Sequence, residues 1–236
     1  MSKTDNTMTR PDQAIILRTE NLGRSFRSGH ELLQVLSRIN IEIPGGQLSM
    51  LKGRSGSGKT TLMNLLGALD RPSEGQVFFR DLDITALSDH RRDQLRRRDM
   101  GFVFQSVALI PTMNAFENVE FALRVAKPDG LDRRQRTEQV LQLVGLERRM
   151  RHRTQELSGG EQQRVAIARA IVHQPTVIFA DEPTAELDTS MGLQVVQLFR
   201  TLVEKEGQTV VMTTHDPNMM ELADQVFSLD DGVVQS

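Results

Sequence analysis

The chain has 236 residues, 29 Lys plus Arg against 31 Asp plus Glu, and no Cys, Trp or Tyr. This length accommodates one large α/β domain or a core with a smaller lobe, and the missing Cys excludes disulfides, cysteine-ligated zinc and iron–sulfur centres, as suits a cytoplasmic protein. The net charge of −2 argues against bulk electrostatic binding to nucleic acid, no run approaches the ~18 consecutive apolar residues of a membrane span, and the N-terminus lacks a signal peptide's apolar core.

Residues 1–13 are rich in Ser, Thr, Asp and Asn without apolar periodicity and are expected to form a disordered tail ahead of a domain over 14–236. Ile15-Ile16-Leu17, Leu32 to Leu36 and Ile39 to Ile43, with a polar hinge through Ser28-Gly29-His30, predict an antiparallel β patch that ends in the turn Pro44-Gly45-Gly46. Phe26 is the only aromatic ring before this turn, and it fits either a core place or a stacking platform for a base.

The stretch Gly53-Arg54-Ser55-Gly56-Ser57-Gly58-Lys59-Thr60 satisfies the phosphate-loop pattern G-x-x-x-x-G-K-[ST] in full. Its glycines let successive N–H groups point at phosphate oxygens, Lys59 supplies a cation, and the Thr60 hydroxyl supplies a magnesium ligand. A strand is expected just before it, and Thr60 to Leu66 reads as a helix with Leu62, Leu65 and Leu66 inside. A dinucleotide fingerprint fits worse, because a third small residue is needed where Thr61 stands, and a kinase fits worse still, because no Asp-Phe-Gly or catalytic-loop motif follows.

After a strand at Gln76 to Phe79, the Arg-dense segment Asp89 to Asp99 is expected to be a helix with a solvated face, and Gly101 to Phe104 a strand delivering Gln105. From about 106 to 157 the pattern turns helical, which predicts an α-helical subdomain inserted in the α/β core. Within it, Ala115 to Val125 carries Phe116, Val119 and Leu123 at helical spacing without an evident core role. Val177 to Ala180 reads as a buried strand ending in Asp181-Glu182, where Asp181 can hold Mg²⁺ and Glu182 can polarise an attacking water. A helix near Ser190 to Glu204, a strand at Thr209 to Thr213 leading to His215, and a last strand pair around Asp230-Asp231-Gly232 complete the chain.

The stretch Leu157-Ser158-Gly159-Gly160-Glu161-Gln162-Gln163-Arg164 resembles the signature of the ATP-binding cassette (ABC) ATPases. A capping box explains Ser158 and Glu161; two glycines beyond it would leave the helix N-terminus bare for an anion. The resemblance runs from Ile15 to the C-terminus and implies a P-loop α/β core with ATP and Mg²⁺ as cofactors. It makes Gly53 to Thr60 the Walker A loop, Asp181 the Walker B aspartate, Glu182 the catalytic glutamate, Gln105 the Q-loop glutamine and His215 the switch histidine. It also makes Phe26 the adenine-stacking residue and Ala185-Glu186-Leu187-Asp188 the D-loop. The ATP-binding set it implies is Phe26, Gly53 to Thr61, Ser158, Gly159, Gly160 and Asp188, with Thr60, Gln105 and Asp181 toward the metal. Phe26 stands where Tyr is usual. Ala185-Glu186 stands where Gly-Asn is usual in the branch serving lipoprotein release, macrolide export and antimicrobial-peptide resistance, which this chain otherwise resembles.

What the resemblance implies is a transporter motor subunit on the cytoplasmic face of the cell membrane. It would drive a separate integral membrane permease by head-to-tail dimerisation around ATP, and the face around Gln105 to Val125 would dock a short helix of that permease. A nucleotide-gated regulator of a membrane partner, without cargo, is the alternative. Soluble members of DNA repair need a coiled coil that the short, Pro-broken 105–157 interval cannot form, and those of translation carry two cassettes where this chain has one.

Overall fold

Alternating apolar side chains put one face of each N-terminal strand inside, and the chain folds there as expected, with longer strands. A computed structural model describes residues 14–29, 31–128 and 130–235; the expected tail over 1–13 and the His30 end of the polar hinge lie outside the described residues. Strands β1 (Ile15–Ser28), β2 (Glu31–Ile39), β3 (Glu42–Pro44), β5 (Glu74–Phe79) and β6 (Leu82–Asp83) form a five-stranded antiparallel sheet among the described residues. Leu17, Leu22, Leu36, Ile39 and Ile43 are all fully buried on its inner face.

The second sheet has the order β11-β10-β4-β9-β8-β7, from β4 (Leu48–Lys52), β7 (Met100–Val103), β8 (Val177–Ala180), β9 (Thr209–Thr214), β10 (Gln225–Asp230) and β11 (Val233–Gln235). Every pair is parallel except β10–β11, which is the expected terminal hairpin. A parallel sheet is covered on both faces, so β8 and β9 are buried at every position. Successive side chains then go to opposite layers. Leu48, Met50, Ile178, Ala180, Val210 and Met212 pack with α5 (Gly159–Ile171) and α6 (Thr189–Glu206). Leu51, Val177, Phe179 and Val211 pack with α1 (Lys59–Leu66) and the antiparallel sheet.

Between β7 and α5 the chain is helical, with α3 (Ala115–Ala126) and α4 (Arg133–Leu143) followed by two short 3₁₀ turns that lead to α5. Asn114 and Glu117 form a reciprocal capping box that starts α3. One expectation is corrected here and one is extended. Helix α3 does have a core role: Val119 and Leu123 are 0% exposed and belong to the cluster with α5. And α2 (Asp89–Asp99) is not simply a solvated face, because Arg92 is buried and donates to the carbonyls of Ala68 and Asp70. A guanidinium can satisfy backbone carbonyls left free after α1, a role that charge density alone does not reveal.

Candidate nucleotide site

Parallel strands bring their carboxyl ends to one edge of the sheet, and that edge is where ligands bind in open α/β folds. Strand β4 opens there into residues 53–58 and α1; β7 ends just before Gln105; β8 ends at Ala180 before Asp181; and β9 ends at Thr214 before His215. The register therefore gathers Gly53 to Thr61, Gln105, Asp181, Glu182 and His215 on one side of the domain.

The phosphate loop is held from behind. Gly58 caps α1 with φ +101, and a Cβ there would lie 2.8 Å from Leu36 Cδ2 and 3.1 Å from the Val35 carbonyl, so any side chain would push the loop off β2. Gly232 N donates to Ser57 O at 3.2 Å, which ties the β10–β11 turn to the loop. Lys59 is only 5% exposed, and its Nζ donates to the carbonyls of Gly53 at 3.0 Å and Arg54 at 3.1 Å. Ser57 Oγ is buried without a hydrogen-bond partner. An ammonium, a bare N-terminal helix turn and an unused hydroxyl are the donor set that a polyphosphate requires.

Glu182 has a left-handed backbone, φ +44, which is uncommon for a side chain of its size and is the kind of strain found at functional sites. Its carboxylate lies between two bases, with Oε1 3.7 Å from Lys59 Nζ and Oε2 3.7 Å from His215 Nδ1. Thr213 fixes this corner: its hydroxyl donates to Asp181 Oδ1 at 2.7 Å and accepts the Glu182 N–H at 2.7 Å. Thr213 has no sequence signal of its own, since Thr in an apolar strand is ordinary β composition. With Thr60 and Gln105 exposed and Asp181 partly so, hydroxyl, amide and carboxylate oxygens are available, and such donors suit a hard divalent cation like Mg²⁺.

Phe26 is 39% exposed on the β1–β2 hairpin, paired in register with Leu33. The remaining expected residues form a separate cluster. Ser158 accepts from Glu161 N, and Glu161 accepts from Ser158 N at 2.8 Å; this capping box, led by the N–H of Ser158, holds the Glu161 carboxyl below its usual range. Asp188 caps α6 by accepting from Met191 N at 2.9 Å. Of the two glycines that begin α5, Gly159 is exposed, whereas Gly160 is buried, and a Cβ there would lie 2.5 Å from Met191 Cε, so the small residue makes room for a side chain of α6. Among the described residues no hydrogen bond links Ser158, Gly159 or Gly160 to the phosphate loop.

This fold and this edge define a P-loop nucleoside triphosphatase. The family model described as "ABC transporter" matches residues 36–185. The chain is 40% identical over 225 residues to the uncharacterized ABC transporter ATP-binding protein MJ0796 of Methanocaldococcus jannaschii, covering 93% of this chain and 95% of that one. It is 43% identical over 213 residues to the macrolide export ATP-binding/permease protein MacB of Shewanella sp. (strain ANA-3), covering 90% of this chain but only 32% of MacB. It also superposes on the dimeric MJ0796 cassette solved in a post-hydrolysis state with ADP and Pi, at TM-score 0.85 and 39% identity, over 93% of this chain and 97% of that one. The chain belongs to the ABC transporter family and is an ATP-binding ATPase cassette of it.

Proposed function

We propose that this cassette is the motor of a separate membrane permease and works as a head-to-tail dimer with ATP held between the two copies. The observation that carries this reading is Glu182, strained in backbone and held at 3.7 Å from both Lys59 Nζ and His215 Nδ1 at the carboxyl edge of the sheet. In this reading Glu182 accepts a proton from the attacking water, and His215 orients the reacting groups from the end of β9. Lys59 and the N–H groups of residues 53–61 hold the phosphates, and Phe26 stacks on the base. Mg²⁺ would be held by Thr60, Asp181 and Gln105, where it neutralises charge on the phosphate oxygens.

Ser158, Gly159, Gly160 and Asp188 would act in trans. Their separation from the chain's own phosphate loop supports this, as does the dimeric MJ0796 cassette. Residues 106–157 are then a helical subdomain that conveys the state of the site to the permease, and the cassette works peripherally on the cytoplasmic face of the membrane. Among the described residues no helix is long and apolar enough to cross a membrane. The MacB relative, whose name joins ATP-binding and permease functions, supports a permease partner.

The permease would dock on the outer side of α3 rather than on its core face. Phe102, Phe104, Phe121 and Val125 line a recess of about 330 Å³ there, together with Arg96 and Arg97.

The test is the solution mass of Glu182→Gln with Mg-ATP and with Mg-ADP. A dimer with ATP, a monomer with ADP, and turnover reduced by ~10²-fold or more support the reading. Hydrolysis near that of the unaltered chain would remove Glu182 from its role, and a monomer in both conditions would mean that the permease must bring the cassettes together.

A further inference from the structure

Phe26 does not stand by itself. The Arg24 guanidinium lies over its ring, 4.4 Å from Cζ to the ring centroid. The same guanidinium grips Asp70 with two bonds, Nε to Oδ2 at 2.9 Å and Nη2 to Oδ1 at 3.0 Å. Such a fork fixes the guanidinium plane as well as its charge. The β1–β2 ladder shifts register on both sides of Arg24, an irregularity of the kind that re-aims a side chain.

The contacts join the hairpin that carries Phe26 to the turn that follows the phosphate-loop helix. Phe26 belongs to the β1–β2 hairpin, whose Val35 and Leu36 back the phosphate loop at Gly58. Asp70 lies in the turn after α1, the helix that the phosphate loop begins, and its Oδ1 also accepts Arg71 N at 2.7 Å. Arg24 therefore ties the ring to the far end of the phosphate-loop helix. It covers part of the ring and leaves it 39% exposed. A cation on one face draws the π electrons toward itself and makes the opposite face less negative, which lowers its repulsion with a stacked purine.

We propose that Arg24, anchored by Asp70, is a positioning residue for the base: it orients Phe26 and strengthens stacking on the ring's free face. This rests on the reading of Phe26 as the base platform, and the experiment separates the two. ATP and inorganic tripolyphosphate, which has a phosphate chain but no base, are titrated against the unaltered chain, Arg24→Met, Asp70→Asn, Phe26→Ala and the Arg24→Met/Phe26→Ala double variant. Thermal melts establish that each is folded.

Arg24→Met is expected to weaken ATP about three- to fivefold while leaving tripolyphosphate unchanged, and to cost nothing further when added to Phe26→Ala. Asp70→Asn, which keeps ring and cation but loosens the fork, is expected to show the same ATP-selective loss. An equal loss for both ligands would make Arg24 a general charge or fold contributor, and tighter ATP binding would mean that the guanidinium blocks the base; either overturns the proposal. Should Phe26→Ala keep full ATP affinity, the base-platform reading itself fails. Should Phe26→Ala lose affinity selectively while Arg24→Met does not, only the role of Arg24 fails.

Discussion

Thr213 donates its hydroxyl to Asp181 Oδ1 at 2.7 Å, from one parallel strand to the next, and so fixes a carboxylate at the edge where the phosphate loop opens. Thr213 Oγ1 also accepts the Glu182 N–H at 2.7 Å, so one buried hydroxyl sets both acidic residues. Thr213→Val keeps the shape and removes both bonds. Turnover is expected to fall about tenfold, with stability lower by ~1–3 kcal/mol for the groups left unpaired. Steady-state ATPase assays beside urea denaturation check this, and unchanged turnover in a folded variant would deny Thr213 a part in the site.

Lys59 is buried against the carbonyls of Gly53 and Arg54, so it serves the loop's own shape as well as any phosphate. Lys59→Ala is expected to abolish tight ATP binding while the domain stays folded. A titration with labelled ATP reads the first, and a thermal melt the second. Retained affinity would mean that the loop binds through its backbone alone.

Docking on the outer side of α3 makes a prediction that a Cys-free chain tests cleanly. Single cysteines at Phe121 and Val125, both exposed, are expected to crosslink to the permease, while one at the Arg134 position on α4 is not. Crosslinks confined to other faces would rule this surface out.

His173 gives the fold a pH dependence. Burial holds its imidazole below the ordinary value of 6.5, with Nε2 3.1 Å from the Met100 carbonyl and Nδ1 buried without a partner. The folded state thus prefers the neutral ring, and below about pH 6.5 the unfolded chain binds more protons than the folded one. Stability from this group is complete above that pH and is lost as pH falls toward the depressed folded value. Denaturant titrations at pH 7.5 and 5.5 are expected to show a smaller drop for His173→Gln than for the unaltered chain. Equal drops would assign the acid sensitivity elsewhere.

Much of the site was legible from local pattern because its chemistry is local. A phosphate loop needs consecutive backbone amides, a lysine and a hydroxyl within eight positions, and Gly53 to Thr60 spells this out in one stretch. The apolar run Val177 to Ala180 likewise announces a buried strand with Asp181 and Glu182 at its end. The capping box of Ser158 and Glu161 is a three-residue spacing and reappears as two hydrogen bonds.

Tertiary structure decided whatever depends on contacts between distant residues. Sequence spacing carries no sign that Thr213 pairs with Asp181 across a strand boundary, that Arg92 closes the carbonyls after α1, or that Met191 occupies the space a side chain at Gly160 would need. The same holds for α3, whose periodicity shows an apolar face but not its partner; packing on α5 turned Val119 and Leu123 inward and left Phe121 and Val125 outside. Periodicity reports which side chains avoid water, whereas three-dimensional packing determines the neighbour each one meets.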